Sequence, residues 1–136
     1  MQWILTFDGG CTPNPGKGSC AYKAVCRGSA HLEVKRSWPM KGNNNTNNQA
    51  EWEALVTGLE ELLDSNYNVT SIIVYGDSKL IIEQISGIYR VKSNKLRPYY
   101  NRWLQLRNKF KSVDFKFNHI YRELNTEMDE SCKDAR

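Results

Sequence analysis

The segment Thr70-Ser71-Ile72-Ile73-Val74-Tyr75-Gly76 does most to narrow what this chain can fold into. It is a continuous apolar strand, as expected for one buried on both faces. Such a strand needs a sheet with other elements packed against it. The flanking sequence supplies them. Residues from about 48 to 64 read as a helix, with Leu55, Gly58, Leu59, Leu62 and Leu63 recurring at helical spacing. A short helix is expected over roughly 78–87, ended by Gly87, and Pro98 can open another that runs to about Lys111. Asp114–Ile120 reads as a further strand, and Asn125 can cap a last helix. At the other end, Gln2–Asp8 is a strand, Gly9 to Gly16 is a turn on composition, and residues 18–27 and 31–40 make two more strands around a Gly28-Ser29 hairpin signal. The first three strands then form an antiparallel meander, and the whole is a five-stranded mixed sheet with helices packed on it.

A chain of 136 residues is expected to form one domain, 1–136, large enough to bury a core without disulfide or metal staples. No apolar run approaches the roughly 18–20 residues that span a bilayer. The opening residues lack a basic segment and reach Asp8 at once, unlike a signal peptide, so a cytoplasmic address is the default. Cys11, Cys20, Cys26 and Cys132 show no metal-like spacing and are expected to be free thiols; a Cys20–Cys26 bridge is conceivable but has no support. The net charge of +4 is unevenly spread. Between Glu83 and Asp114 there is no acid, and the stretch carries Arg90, Lys92, Lys95, Arg97, Arg102, Arg107, Lys109 and Lys111. The rest of the chain is therefore net acidic. One basic segment on an acidic body suggests a polyanion on one side and bound cations on the other, whereas the plainer alternative is a solvated helix face.

The chemistry rests on which acids are more than surface charges. Asp8 follows an apolar strand and precedes two glycines that let a ligand approach the backbone; strand alternation puts it on the face of Ile4 and Thr6. Glu51 heads the stripe that continues through Leu55, Gly58, Leu59 and Leu62, the core-facing side of its helix, where an ionised carboxylate is costly unless paired or bound to a cation. Asp77 stands between a strand and a helix start, where ligands collect in α/β sheets, although Gly-Asp-Ser alone is also an ordinary N-cap signal. In the last helix, Glu127, Asp129 and Glu130 are equivalent by position, and first-turn acids need no function to explain them. The first and fourth strands are natural neighbours in the middle of such a sheet. Acids at their adjacent ends, plus one from a helix packed there, repel unless a divalent ion neutralises them. All-oxygen ligands without a His or Cys cluster favour Mg²⁺ or Mn²⁺ over zinc. Two such ions support in-line phosphodiester hydrolysis.

Four segments in order, Asp8 to Gly16, Thr46-Asn47-Asn48-Gln49-Ala50-Glu51, Gly76-Asp77-Ser78 and Asn125-Thr126-Glu127-Met128-Asp129, resemble type 1 ribonuclease H over nearly all of the chain. The resemblance implies an α/β ribonuclease H-like fold: a five-stranded mixed sheet, strands 1–3 antiparallel and strands 4 and 5 parallel, with helices on both faces. It implies an endonuclease that cuts the RNA strand of RNA–DNA hybrids with two Mg²⁺ ions, Mn²⁺ being a substitute, and leaves a 5′-phosphate and a 3′-hydroxyl. Its metal-binding acids map onto Asp8, Glu51, Asp77 and Asp129. Its hybrid contacts map onto Gly10, Cys11 and Asn14 at RNA 2′-hydroxyls, the groups that distinguish RNA from DNA. They also map onto Thr46 at a DNA-strand phosphate, Asn47 and Asn48 in the minor groove, and Ser78 and Lys79 beside the RNA. Two departures stand out. Some members carry a basic handle where this chain has about ten linking residues; here Arg90, Lys92, Lys95 and Arg97 keep the charge for gripping the hybrid backbone. Many members have a mobile-loop histidine that aids product and metal release. His119 keeps a spacing of ten residues before Asp129, yet its surroundings read as strand, which equally suits a structural histidine. Tyr99, Trp103 and Phe110 fit helical spacing and are expected in the core rather than stacked on bases.

The expected partner is thus an RNA–DNA hybrid duplex, with no membrane, no obligatory protein partner, and a monomeric state. A hybrid-binding module without catalysis would keep the basic segment but lose an acid. An actin-like phosphotransferase would need a second domain, for which there is no room. An integrase- or transposase-type DNA nuclease differs in the duplex it cuts.

Overall fold

The computed structural model describes the backbone of residues 1–136 and every side chain except that of Ala30. Five strands form one sheet: β1 (Gln2–Cys11), β2 (Gly18–Cys26), β3 (Ser29–Pro39), β4 (Ser71–Gly76) and β5 (Asp114–His119). Their order is β3-β2-β1-β4-β5. The first three are antiparallel, and β4 and β5 run parallel to β1. The helices are α1 (Asn47–Leu63), α2 (Lys79–Ile85), α3 (Arg97–Lys109) and α4 (Thr126–Asp134), the last preceded by a 3₁₀ turn at Arg122–Leu124. This is the mixed sheet with helices on both faces that the sequence implied.

Local chemistry fixes the helix ends. Thr46 and Gln49 form a reciprocal capping box at the start of α1. Ser78 caps α2, and Gly87, with φ +85°, takes the left-handed conformation that ends it. Pro98 sits in the first turn of α3. Trp3, Leu5 and Phe7 of β1 and Leu55 and Leu59 of α1 are fully buried in the main core. Trp103 is buried too, with Phe115 and Phe117 edge-on to its ring. Tyr99 and Phe110 pack against the same core. On the opposite face, Met128 and Cys132 of α4 make a small separate cluster with Ala21.

Three expectations need correction. The first strand does not stop at Asp8: β1 continues through Gly9, Gly10 and Cys11, which pair with Cys20, Ser19 and Gly18. A paired neighbour overrides the turn preference of two glycines. The fourth strand is not buried alike on both faces. Ile72 and Val74 are buried, while Ser71, Ile73 and Tyr75 are only partly so, because α4 packs over β1, β2 and β3. Asn125 does not cap α4 with its side chain, which is committed elsewhere. The four cysteines are free and buried. Cys20 and Cys26 lie six residues apart along β2, beyond the reach of a disulfide.

Candidate active site

Asp8, Glu51 and Asp77 converge at one end of the sheet, where each offers a carboxylate oxygen within 4.8 Å of the others. Asp8 projects from β1, beside Ala21 of β2 and on the α4 face. Asp77 follows β4, the parallel neighbour of β1. Glu51 comes from α1, on the other face, and reaches the cluster because α1 rests directly on Gly9. A Cβ at that position would collide with the Ala50 carbonyl and the Glu51 amide. The glycine therefore serves close approach between backbones. Asp129, from the first turn of α4, lines the same cavity of about 370 Å³, together with Ser78, Arg122, Lys133 and Arg136.

The cluster is strained by charge. Asp8 is 5% exposed and Glu51 7%. Burial raises the Asp8 carboxyl to about 7, with the negative charges of Asp77 and Asp129 pushing the same way and a hydrogen bond shared with Glu51 acting against them. Burial, then the Asp8 charge, pushes Glu51 well above the ordinary glutamate range. One Glu51 oxygen, Oε2, is buried with no hydrogen-bond partner. A buried carboxylate oxygen without a hydrogen-bond partner, on a residue of an all-oxygen cluster, fits a hard divalent cation. Asp129 is held differently. Desolvation raises it, but Lys133, hydrogen bonding with Asp8, and the Lys133 and Arg122 charges together leave it below the usual range. Lys133 Nζ stands 3.0 Å from Asp129 Oδ2. Glu127 is drawn away to Lys23 and Lys35 on the sheet, whereas Asp129 lines the cavity. Glu130 is exposed and does not line the cavity.

Sequence reading missed Asn125. It is 3% exposed, and its amide donates to the Phe7 carbonyl at 2.9 Å and to Asp77 Oδ2 at 3.3 Å. It thereby ties β1, Asp77 and the start of α4 together. Arg136 was missed too. It donates through Nε to Ser19 Oγ at 2.9 Å and through Nη1 to Thr12 Oγ1 at 2.6 Å. Its guanidinium lies against Gly10, where it occupies the space a side chain would take. Asn125 stands in one of the segments that carry the resemblance, but no periodicity or spacing reveals the partners of either residue.

The other expected contacts fall into groups. Asn14, Thr46, Asn47, Asn48 and Lys95 line a second cavity, about 500 Å³ in volume. Asn47 and Asn48 also line the carboxylate cavity and so join the two, while Gly10 lines the carboxylate cavity alone. The Cys11 thiol is buried, and its amide donates to Asn47 Oδ1 at 2.7 Å, so Cys11 braces the turn with its backbone. Asn14 Oδ1 accepts from the Asn47 amide at 3.1 Å. Ser78 lines the carboxylate cavity, whereas Lys79 is exposed and pairs with Glu83. Arg90, Lys92, Lys95 and Arg97 are all exposed and, among the described residues, have no acidic partner within 4.0 Å. Arg102 and Lys109 of α3 differ: they pair with Glu60 and Asp64. His119 ends β5 with an exposed ring, its Nε2 3.2 Å from the Asp77 carbonyl oxygen. It stands next to the backbone of a cluster acid but does not line the cavity.

Known proteins share this arrangement of elements. The chain is 31% identical over 135 residues to the bifunctional protein Rv2228c of Mycobacterium tuberculosis, a match that covers 99% of this chain and 35% of the relative. The chain thus spans about a third of the length of that curated relative. The crystal structure of ribonuclease H1 from Halobacterium salinarum superposes with a TM-score of 0.85 at 27% identity, covering 99% of this chain and 97% of the other. LC11-RNase H1, isolated from compost and solved in complex with an RNA/DNA hybrid, superposes at 0.84 with 29% identity, covering 98% and 95% of the two chains. A family model described as reverse transcriptase-like matches residues 6–135. By that match and these neighbours the chain belongs to the reverse transcriptase-like family, and within it to the type 1 ribonucleases H.

Proposed function

We propose that this chain is an endonuclease that hydrolyses the RNA strand of RNA–DNA hybrids, with two divalent ions held by Asp8, Glu51, Asp77 and Asp129. The observation that carries this reading is the buried three-acid cluster with its orphaned Glu51 oxygen, standing open to a cavity. Keeping such charges together costs stability unless protons or cations neutralise them. The hard, all-oxygen donor set suits Mg²⁺, with Mn²⁺ as a substitute. Bound there, a pair of such ions supplies a more acidic water and stabilises the charge that develops on a phosphate.

The protein's own part is positioning. Asn125 restrains Asp77 by a hydrogen bond to its carboxylate, and the contact of α1 with Gly9 sets how far Glu51 reaches. A preset cluster needs little rearrangement when substrate arrives, which favours the transition state. Hydrolysis breaks the bond between phosphorus and the 3′ oxygen, so one product carries a 3′-hydroxyl and the other a 5′-phosphate. The neighbouring cavity, with Asn14, Thr46, Asn47, Asn48 and Lys95, offers amide, hydroxyl and ammonium donors for sugar edges and backbone phosphates. Arg90, Lys92 and Arg97, exposed and close to Lys95 in the chain, add positive charge for backbone phosphates. The solved LC11-RNase H1 complex shows that protein with an RNA/DNA hybrid, which supports the same substrate class here.

Labelled RNA–DNA hybrid, duplex DNA and duplex RNA, each incubated with the protein and Mg²⁺ and again with EDTA, test the proposal. Cleavage of the RNA strand of the hybrid alone, stopped by EDTA, is expected. Asp8→Asn should bind the hybrid without cutting it; parental rates in that variant would remove the metal-site assignment. No cleavage with either Mg²⁺ or Mn²⁺ would favour a hybrid-binding module instead.

A further inference from the structure

Asp129 is set apart from the other three acids by its partner. Asp8, Glu51 and Asp77 offer oxygens to one another's neighbourhood, while the Asp129 carboxylate, which also hydrogen bonds with Asp8, is engaged by Lys133 Nζ at 3.0 Å. The two residues lie four apart on α4, so both side chains stand on one face of the helix, above the cavity they line. Two further cations, Arg122 and Arg136, border that cavity. Arg136 is anchored through two nitrogens to Ser19 and Thr12. The Lys133 side chain is 61% exposed and pairs with Asp129. A lysine on a flexible four-carbon stem, held by a single ion pair, is the cation here that moves most easily. An ammonium on Asp129 takes up one of its carboxylate oxygens and would add a like charge beside any divalent ion held there.

We propose that Lys133 is a positioning residue that holds the place of the second divalent ion on Asp129, so that the two ions bind unequally until a substrate phosphate draws the lysine away. The inference rests on the nuclease reading above. Its consequence is an order of loading. The three-acid cluster takes an ion in the free protein, and the Asp129 site fills once Lys133 has an alternative anion. The released ammonium then lies beside the bound phosphate, where a point-charge donor stabilises it.

Mn²⁺ binding to the whole chain without nucleic acid, followed by calorimetry and by the free-ion paramagnetic resonance signal, tests this without reading activity. The parent protein should show one tighter site and one weaker. Lys133→Met and Lys133→Gln should tighten the weaker site by roughly threefold to tenfold. Loss of an exposed ion pair contributes about twofold of that, and removal of a positive charge beside a divalent ion supplies the rest. Lys133→Arg should restore the parental isotherm. Parental isotherms in both neutral variants, or two equally tight sites in the parent, would overturn the role of Lys133 and leave the nuclease reading intact. No ion binding by the parent at all would overturn both.

Discussion

Without divalent ions, Asp8→Asn should be more stable than the parent protein at pH 8, although it removes a residue of the proposed catalytic cluster. Folded Asp8 keeps its proton up to about pH 7, whereas the unfolded chain releases it near 3.8. Between those values the folded state binds more protons, so stability falls as pH rises. The stabilising share is fully present below 3.8 and is gone above 7. A displacement of that size, at roughly 1.4 kcal/mol per unit, is worth at most about 4 kcal/mol, since salt and penetrating water screen part of it. Asparagine cannot ionise and escapes the loss. Urea denaturation in EDTA at pH 4, 6 and 8 measures it directly. The parent minus variant difference should grow in the variant's favour by several kcal/mol across that range, and subtraction removes the contribution of other carboxyls. Saturating Mg²⁺ at pH 8 should reverse the order, because only the parent gains full binding energy from the ion. A difference that does not change with pH would refute the view that burial and neighbouring acids hold Asp8 protonated.

Three more outcomes are expected. Asn125→Ala removes the hydrogen bonds to Phe7 and Asp77 and should lower stability by about 1–3 kcal/mol in thermal denaturation, with a loss of cleavage larger than the loss of hybrid affinity. Charge reversal at Arg90, Lys92, Lys95 and Arg97 should flatten the salt dependence of hybrid affinity, by about one unit of slope for each phosphate no longer neutralised, while turnover at saturating hybrid is kept. An unchanged slope would detach that loop from the substrate. His119→Ala should slow turnover under steady-state conditions more than the first cleavage in a single-turnover assay; equal rates to the parent in both would make His119 structural.

Much of this architecture was legible because it rests on local patterns. The leucine stripe gave α1 and set Glu51 on its inner side, and the strand before Asp77 pointed to a sheet end. Where reading failed, distant partners decided. Gly9 and Gly10 read as turn on composition, yet Cys20 and Ser19 pair them into β1. Asn125 read as a helix cap, but its side chain finds Phe7, 118 residues away. By position alone Asp129 could not be told from Glu127, and only the fold shows that Lys23 and Lys35 engage the latter. Pairings of that kind are set by the third dimension, and no spacing along the chain encodes them.

The small size of the cluster formed by Ala21, Met128 and Cys132 has a kinetic consequence. The segment that bears Asp129 is bound to the sheet by few apolar groups, so its amides should exchange with solvent through a sub-global opening that leaves the central strands closed. During such an opening Asp8, Glu51 and Asp77 would stay assembled, so on the proposed function the molecule would still bind an ion with Asp129 swung out. Ions and substrate would then act as a latch, and slower exchange of that one helix would report on catalytic readiness in a protein whose fold is otherwise complete.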